Sequence, residues 1–217
     1  FTLNMDGTPT LTITFSETVD ASTFEPSTLK LLQNAAANSA GVDISDAGSA
    51  SSTDGTTIVL TLSEDDANAI KADAALGTSK ADTFLLVTAG TVKDMAANPL
   101  NAAATAKEAD VVVVDNTAPT LTNAVLDMNT GTLKLLFDEM IKATSVDFSK
   151  FFVASSITDG GIALSGSTRL SADVSTEVEL RFSVDKLNEL KLDTSLAVVD
   201  ASVIVLGGGA VTDMSPN

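Results

Sequence analysis

The stretch "LNMDGTPTLTITFSETV", Leu3 to Val19, returns in a second version as "LDMNTGTLKLLFDEMI", Leu126 to Ile141. Leu3, Met5, Leu11, Phe15, Glu17 and Val19 meet Leu126, Met128, Leu133, Phe137, Glu139 and Ile141, after one residue of slip in the turn. Internal repetition decides a fold before any single residue does. Two further blocks follow in the same order. "DGTTIVLTLSEDDANAIKAD" (Asp54 to Asp73) matches "VSTEVELRFSVDKLNELKLD" (Val174 to Asp193). "GTVKDMAANP" (Gly90 to Pro99) matches "GAVTDMSPN" (Gly209 to Asn217). Three ordered matches make the chain two copies of one module, expected at residues 1–115 and 116–217.

Between the copies stands "VVVVDNTAP". Val111–Val114 reads as the last strand of the first module. Pro119 fixes its own φ and keeps Ala118 extended, so Asp115 to Pro119 is expected to be a short, stiff joint.

Within a module the apolar period is two. Leu11, Ile13 and Phe15 alternate with Thr10, Thr12 and Thr14, and Ile58, Leu60 and Leu62 match Val178, Leu180 and Phe182. That is the period of half-buried strands. "TFLLVTAG" and "ASVIVLGGG" read as strands ending in glycine turns, with further turns at Asp6-Gly7, Asp54-Gly55, Asn129–Gly131 and Asp159–Gly161. One helix per module is expected. Ser63 caps the first, with Glu64, Asp65 and Asp66 in its opening turn, and Ser183 caps the second. The fold class is therefore all-β: two tandem Greek-key β-sandwiches, each with one short helical insert.

Composition removes several functions. The 217 residues carry a net charge of −17, no His, Cys, Trp or Tyr, and nine Phe. Without Cys there are no disulfides, zinc-thiolate sites or thiol catalysis. Without His the commonest general base is missing. The charge repels nucleic acid, keeps the chain soluble, and supplies oxygen ligands for hard cations. No apolar run is long enough to insert in a membrane.

"FSETV" followed by "DASTF", and later "GTVKDMAANPL", resemble the bacterial Ig-like module of S-layer proteins and adhesins, whose signature reads roughly F-S-x-x-V-D and V-x-D-x-x-G-N-P. The resemblance covers nearly the whole chain, twice. It implies an Ig-like sandwich in an extracellular, cell-surface repeat protein that acts without catalysis as a spacer, adhesin, surface-layer or filament unit. Its partners would be other copies or neighbouring Ig-like modules. Ala97 departs from the pattern by replacing the usual Gly, and "FDEMI" replaces "FSETV" in the second copy.

The acidic positions are the site candidates. Glu17 and Asp94 recur as Glu139 and Asp213, Asn98 as Asn217, and the joint adds Asp110, Asp115 and Asn116. Calcium takes about six to eight oxygens and could be held by such residues at a module junction. The competing reading makes them Asx turns and caps on a solvated surface, since no D-x-D-x-D-G loop is present. No cofactor other than calcium is indicated. A glycosidase would need paired carboxylates with aromatic sugar platforms, which the composition does not provide. The glycines of Gly207–Gly209 read as a turn, because no helix follows to present amides to a phosphate. A calcium-dependent adhesin binding glycans or another surface is the competing function, with Thr10, Thr12 and Thr14 as one short row of hydroxyls.

Three lesser expectations remain. "NSAGVDISDAGSASSTDGTT" reads as a flexible polar loop that the second copy lacks in the same form. The recurring methionines, Met5 and Met128, Met95 and Met214, read as packing residues. The first copy starts without most of the strand that opens the second, and the second stops before a "VVVV" strand. Either the chain is cut from a longer array, or protomers complete one another's sheets head to tail.

Overall fold

A computed structural model describes residues 1–171, 174–196 and 202–214. Asn217, the rest of its "SPN" end, and Ala201 at the start of "ASVIVLGGG" lie outside them. The chain separates into two compact units, Phe1–Thr117 and Ala118–Asn217. It is mostly β, with several antiparallel sheets and, among the described residues, two short α-helices.

Unit 1 runs β1 (Thr2–Asn4), β2 (Thr10–Asp20), β3 (Leu29–Leu32), β4 (Gly41–Asp43), β5 (Ser49–Ala50), β6 (Gly55–Thr61), α1 (Glu64–Ala72), β7 (Phe84–Val87), β8 (Lys93–Asp94), β9 (Lys107–Glu108) and β10 (Val111–Val113). One sheet has the order β10-β1-β2-β6-β5, with β8 joining the far end of β2, and the other has the order β4-β3-β7-β9. Alternation on β2 and β6 sends Leu11, Ile13, Ile58 and Leu60 inward, where they meet Leu29, Leu31 and Leu85 in one core. Phe15, expected in that core, is only half-buried and packs against its margin. The ladder between β2 and β6 is irregular between Thr14 and Val19 and resumes at Val19 with Gly55, where the other edge of β2 takes up β8 through Val19 with Asp94 and Asp20 with Lys93.

Unit 2 repeats the plan with β11 (Leu121–Asp127), β12 (Thr132–Lys142), β13 (Phe151–Ala154), β14 (Ile162–Ala163), β15 (Thr168–Arg169), β16 (Val174–Arg181), α2 (Val184–Leu192) and β17 (Val203–Leu206). Its sheets have the orders β11-β12-β16-β15 and β14-β13-β17. The pairing register carries the repeat into three dimensions. Leu3 faces Leu11 and Leu11 faces Leu60, while Leu126 faces Leu133 and Leu133 faces Leu180. Val19 bridges Asp94 as Ile141 bridges Asp213. Phe137, Phe151, Val153, Val178, Leu180 and Leu190 are among the core of this unit.

The helices begin as the sequence predicts. Ser63 Oγ accepts from the Asp66 amide, with Glu64, Asp65 and Asp66 in the first turn. Ser183 does the same for Lys186.

Two expectations are corrected. Asn38 to Thr57 is not a plain loop: it contains β4 and β5, and Ile44 between them is 2% exposed. Unit 2 has its counterpart in β14 and β15, with buried Leu164 in the place of Ile44. The polar composition hid this because each strand is only two or three residues long. Met95 does not pack; it is 59% exposed at the tip of a turn, whereas Met5 is buried and Met128 lies against the core.

Candidate functional site

The acidic candidates fall into three environments. In unit 1, Glu17 is exposed on β2 and Asp94 half-buried on β8. Together with Phe15, Val92, Asn98 and Leu100 they line a groove of about 410 Å³. Asp94 is already engaged by its own turn. One carboxylate oxygen accepts from the Ala96 and Asn98 amides, both at 2.8 Å, and the other from Asn98 Nδ2 at 2.8 Å. These bonds, the Asn98 side chain first, hold the Asp94 carboxyl below its ordinary range. In this copy the Asx-turn reading of the motif describes the bonds seen.

The same turn explains a departure from the signature. Ala97 sits at φ 66°, a left-handed conformation that costs an L-residue roughly 1–2 kcal/mol and that the signature glycine would take without strain. Ala97→Gly should raise stability by about 0.5–1 kcal/mol, the relief being partly offset by the looser unfolded chain. A lowered melting temperature for that variant would contradict the assignment.

In unit 2 the matching residues approach one another. Asp213 is fully buried, and carboxylate oxygens of Asp213 and half-buried Glu139 lie within 4.8 Å. Two carboxylates at this distance repel unless cation, proton or donor lies between them.

The candidates near the end of unit 1 have polar or charged partners within that unit. Asp110 accepts from the Phe1 ammonium and from Lys107 Nζ. Asp115 lies 2.6 Å from Lys71 Nζ, with side-chain exposures of 2% and 9%. Asn116 donates its amide to Asp6 Oδ1 and its side-chain nitrogen to the Val114 carbonyl. Sequence reasoning missed Lys71. Its only signal was a basic residue in the last turn of the helix, where the dipole favours it.

The aspartates impose a direction on the pH dependence. The Phe1 ammonium, then Lys107, brings Asp110 from an ordinary 3.8 to about 2. Asp127, Asp147 and Asp193 are lowered by bonds from Thr130, Ser149 and Ser195. A folded-state pKa below the unfolded one contributes stability that is complete above the unfolded value and drains as pH falls through the folded value. The melting temperature should therefore fall as pH is lowered from about 5 toward 2, and Asp110→Asn should flatten part of that fall. A steady rise down to pH 3 would mean that relief of the −17 charge dominates instead.

The threonine row is broader than the sequence suggested. Thr10 lies opposite Thr61, Thr12 between Thr2 and Val59, and Thr14 opposite Thr57, with Val111 beside Thr2. Opposed residues share a face, so unit 1 presents an uncharged Thr and Val surface drawn from four strands. The matching face of unit 2 carries Lys134, 2.6 Å from Glu177, together with Glu179 and Arg181. At Gly207–Gly209, as expected, the backbone makes a turn, closed by the Ala210 amide on the Gly207 carbonyl at 3.0 Å.

No family model matches the chain, and no curated protein sequence matches it. Among solved structures, the crystal structure of a thermostable esterase is similar at a TM-score of 0.33 and 14% identity. That similarity covers 70% of this chain and 44% of the esterase, and at this level it carries no argument about fold or activity.

Proposed function

We propose that the chain is a non-catalytic structural piece of an extracellular, cell-surface repeat protein: two tandem Ig-like Greek-key β-sandwiches that act as spacer, adhesin, surface-layer or filament units. The observation that carries this reading is the repetition of one strand plan, register for register, in two separate units. A duplicated scaffold with matched cores is what an array of load-bearing modules requires. Modules of this kind would associate with other copies or with neighbouring Ig-like modules, head to tail by strand addition. Negative-stain microscopy of the native material tests the reading. Strings or sheets of repeating beads are expected; a field of isolated compact particles at every concentration would overturn it.

A calcium-dependent adhesin domain, binding a glycan or another surface, is the second reading. It is favoured by the uncharged threonine face and by the Glu139–Asp213 pair. Melting in calcium and in a chelator, with a glycan array, separates it from the first. Equal melting temperatures and no retained glycan would remove it.

A further inference from the structure

The larger sheet of unit 1 has five strands in the order β10-β1-β2-β6-β5. On its outer face β2 carries Thr10, Thr12 and Thr14, whose partners on β6 are Thr61, Val59 and Thr57. On the other side of β2, β1 adds Thr2 and Asn4, and β10 adds Val111 and Val113. These side chains alternate with Leu3, Leu11, Ile13, Ile58 and Leu60, which face the core, so they share the solvent side. Val59, Val111 and Val113 are 39%, 47% and 38% exposed there.

Strand propensity explains threonine and valine on such a face, but it does not explain why the face is neutral. Unit 2 is the control, because its ladder has the same register. The position of Thr12 is taken there by Lys134, that of Val59 by Glu179 and that of Thr57 by Glu177. Arg181 stands in the place of Thr61, and Asp127 in the place of Asn4. One strand plan therefore accepts charge at positions where unit 1 has none, in a chain whose residues are 19% charged.

The face is also rigid. Threonine and valine are stiff at χ1, and the ladder spaces them about 4.8 Å across the strands and about 6.8 Å along them. Each threonine thus holds one hydroxyl and one methyl on a nearly fixed net, and little side-chain freedom is lost on contact. Area and chemistry select the partner. Five strands by three side-chain positions cover on the order of 300 Å², against about 800 Å² per partner in a stable protein complex. A soluble sugar is gripped by aromatic rings and convergent polar groups in a concave site, and an ionic surface calls for opposite charge. A rigid neutral net of hydroxyls and methyls suits instead an uncharged solid that repeats its own O–H donors and acceptors.

We infer that this face of unit 1 is an ice-binding surface. Water ordered over the methyls and bonded to the hydroxyls would take up sites of the crystal, whose repeat on its prism faces lies near both spacings of the net. Ions have no place in that lattice, which gives neutrality a chemical reason at the positions where unit 2 is charged. Each contact is weak, and repetition of the module would add them. The inference deepens the surface-binding reading and rests on it for the existence of a surface partner, but it needs no calcium.

The test is partition of the full chain into slowly grown ice, in a chelator, beside a reference protein of similar size and charge. Enrichment in the ice over the reference is expected. Thr12→Lys with Val59→Glu places on unit 1 the opposed pair that unit 2 carries as Lys134 and Glu179, with no change in net charge. At an unchanged melting temperature this double variant should lose the enrichment at least about tenfold. If it melts lower, Thr57→Glu alone, copying Glu177, carries the same expectation. Exclusion of the parent chain to the level of the reference would overturn the inference, and so would equal partition of parent and variant. Adsorption to crystalline cellulose, lost in the variant while ice takes up neither, would overturn it too and assign the face to a neutral polysaccharide. Glycan binding in calcium together with exclusion from ice would dispose of this site and leave the calcium-dependent adhesin standing. Partition into ice that the chelator does not alter, with no glycan retained, would do the reverse.

Discussion

Replacing Lys71 with methionine should cost unit 1 about 3–5 kcal/mol, the usual penalty for removing one partner of a buried ion pair. The ammonium and the Asp115 carboxylate lie 2.6 Å apart at side-chain exposures of 9% and 2%. The substitution therefore leaves the carboxylate in a poorly hydrated place without this cation. The effect is not mainly the loss of an attraction, since a buried pair roughly balances its own desolvation. It is the cost of stranding the charge that remains. The double variant Lys71→Met with Asp115→Leu should accordingly recover most of the loss, a coupling that a double-mutant cycle in urea would measure. The contrast is Lys134 with Glu177, equally short at 2.6 Å but 51% and 33% exposed, where Lys134→Met should cost no more than about 1 kcal/mol. Because Asp115 lies two residues beyond the end of β10, the Lys71 variant should also speed hydrogen exchange at Val111–Val113. A cost below about 1 kcal/mol would mean that water reaches the pair and that the strand is held by its ladder alone.

The sequence carried the strand positions and helix starts well, for a physical reason. Both are set by local periodicity and capping, so Leu11, Ile13, Leu60, Ser63 and Ser183 act as their neighbours dictate. Repetition sharpened this, since two imperfect copies of one pattern reveal which positions face the core. What escaped depended on contacts distant along the chain. The Asp115–Lys71 pair, the parallel pairing of β10 with β1, and the gathering of Thr2, Thr57 and Thr61 beside the Thr10–Thr14 row each join segments with no local signal of their meeting. One repeat block also went unread. Gly41-Val42-Asp43-Ile44-Ser45 and Gly161-Ile162-Ala163-Leu164-Ser165 align in both copies, but so few apolar residues among Ser, Gly and Asp look like a loop. Of the candidate site, the recurrence of Glu17 with Asp94 and Glu139 with Asp213 was legible. The difference between an exposed residue beside a self-satisfied turn in one copy and a close, partly buried pair in the other was not.

That unread block contains the second large effect: Gly41→Ala should destabilise unit 1 by about 3 kcal/mol or more, at or beyond the upper end for overpacking. A Cβ on Gly41 would lie 1.9 Å from the Leu31 carbonyl oxygen and 2.9 Å from the Leu32 Cα. Both belong to the backbone of β3, whose Leu29, Leu31 and Leu32 are almost fully buried. No side chain can rotate away, so β4 must pull back from β3 and weaken the pairing of Leu31 with Val42. Unit 2 offers the same experiment in a second setting. A Cβ on Gly161 would lie 2.5 Å from the Val153 carbonyl oxygen, and its φ of +56° adds backbone strain to the collision. Gly161→Ala should therefore cost a similar amount in the other unit. Its neighbour Gly160 has nothing within 4 Å of the added atom, so Gly160→Ala should stay within about 0.5 kcal/mol. Urea unfolding of the three variants decides the matter. If Gly41→Ala and Gly161→Ala match Gly160→Ala, the short strands β4 and β14 are loosely held, and Asn38–Thr57 behaves as the flexible loop its composition suggests.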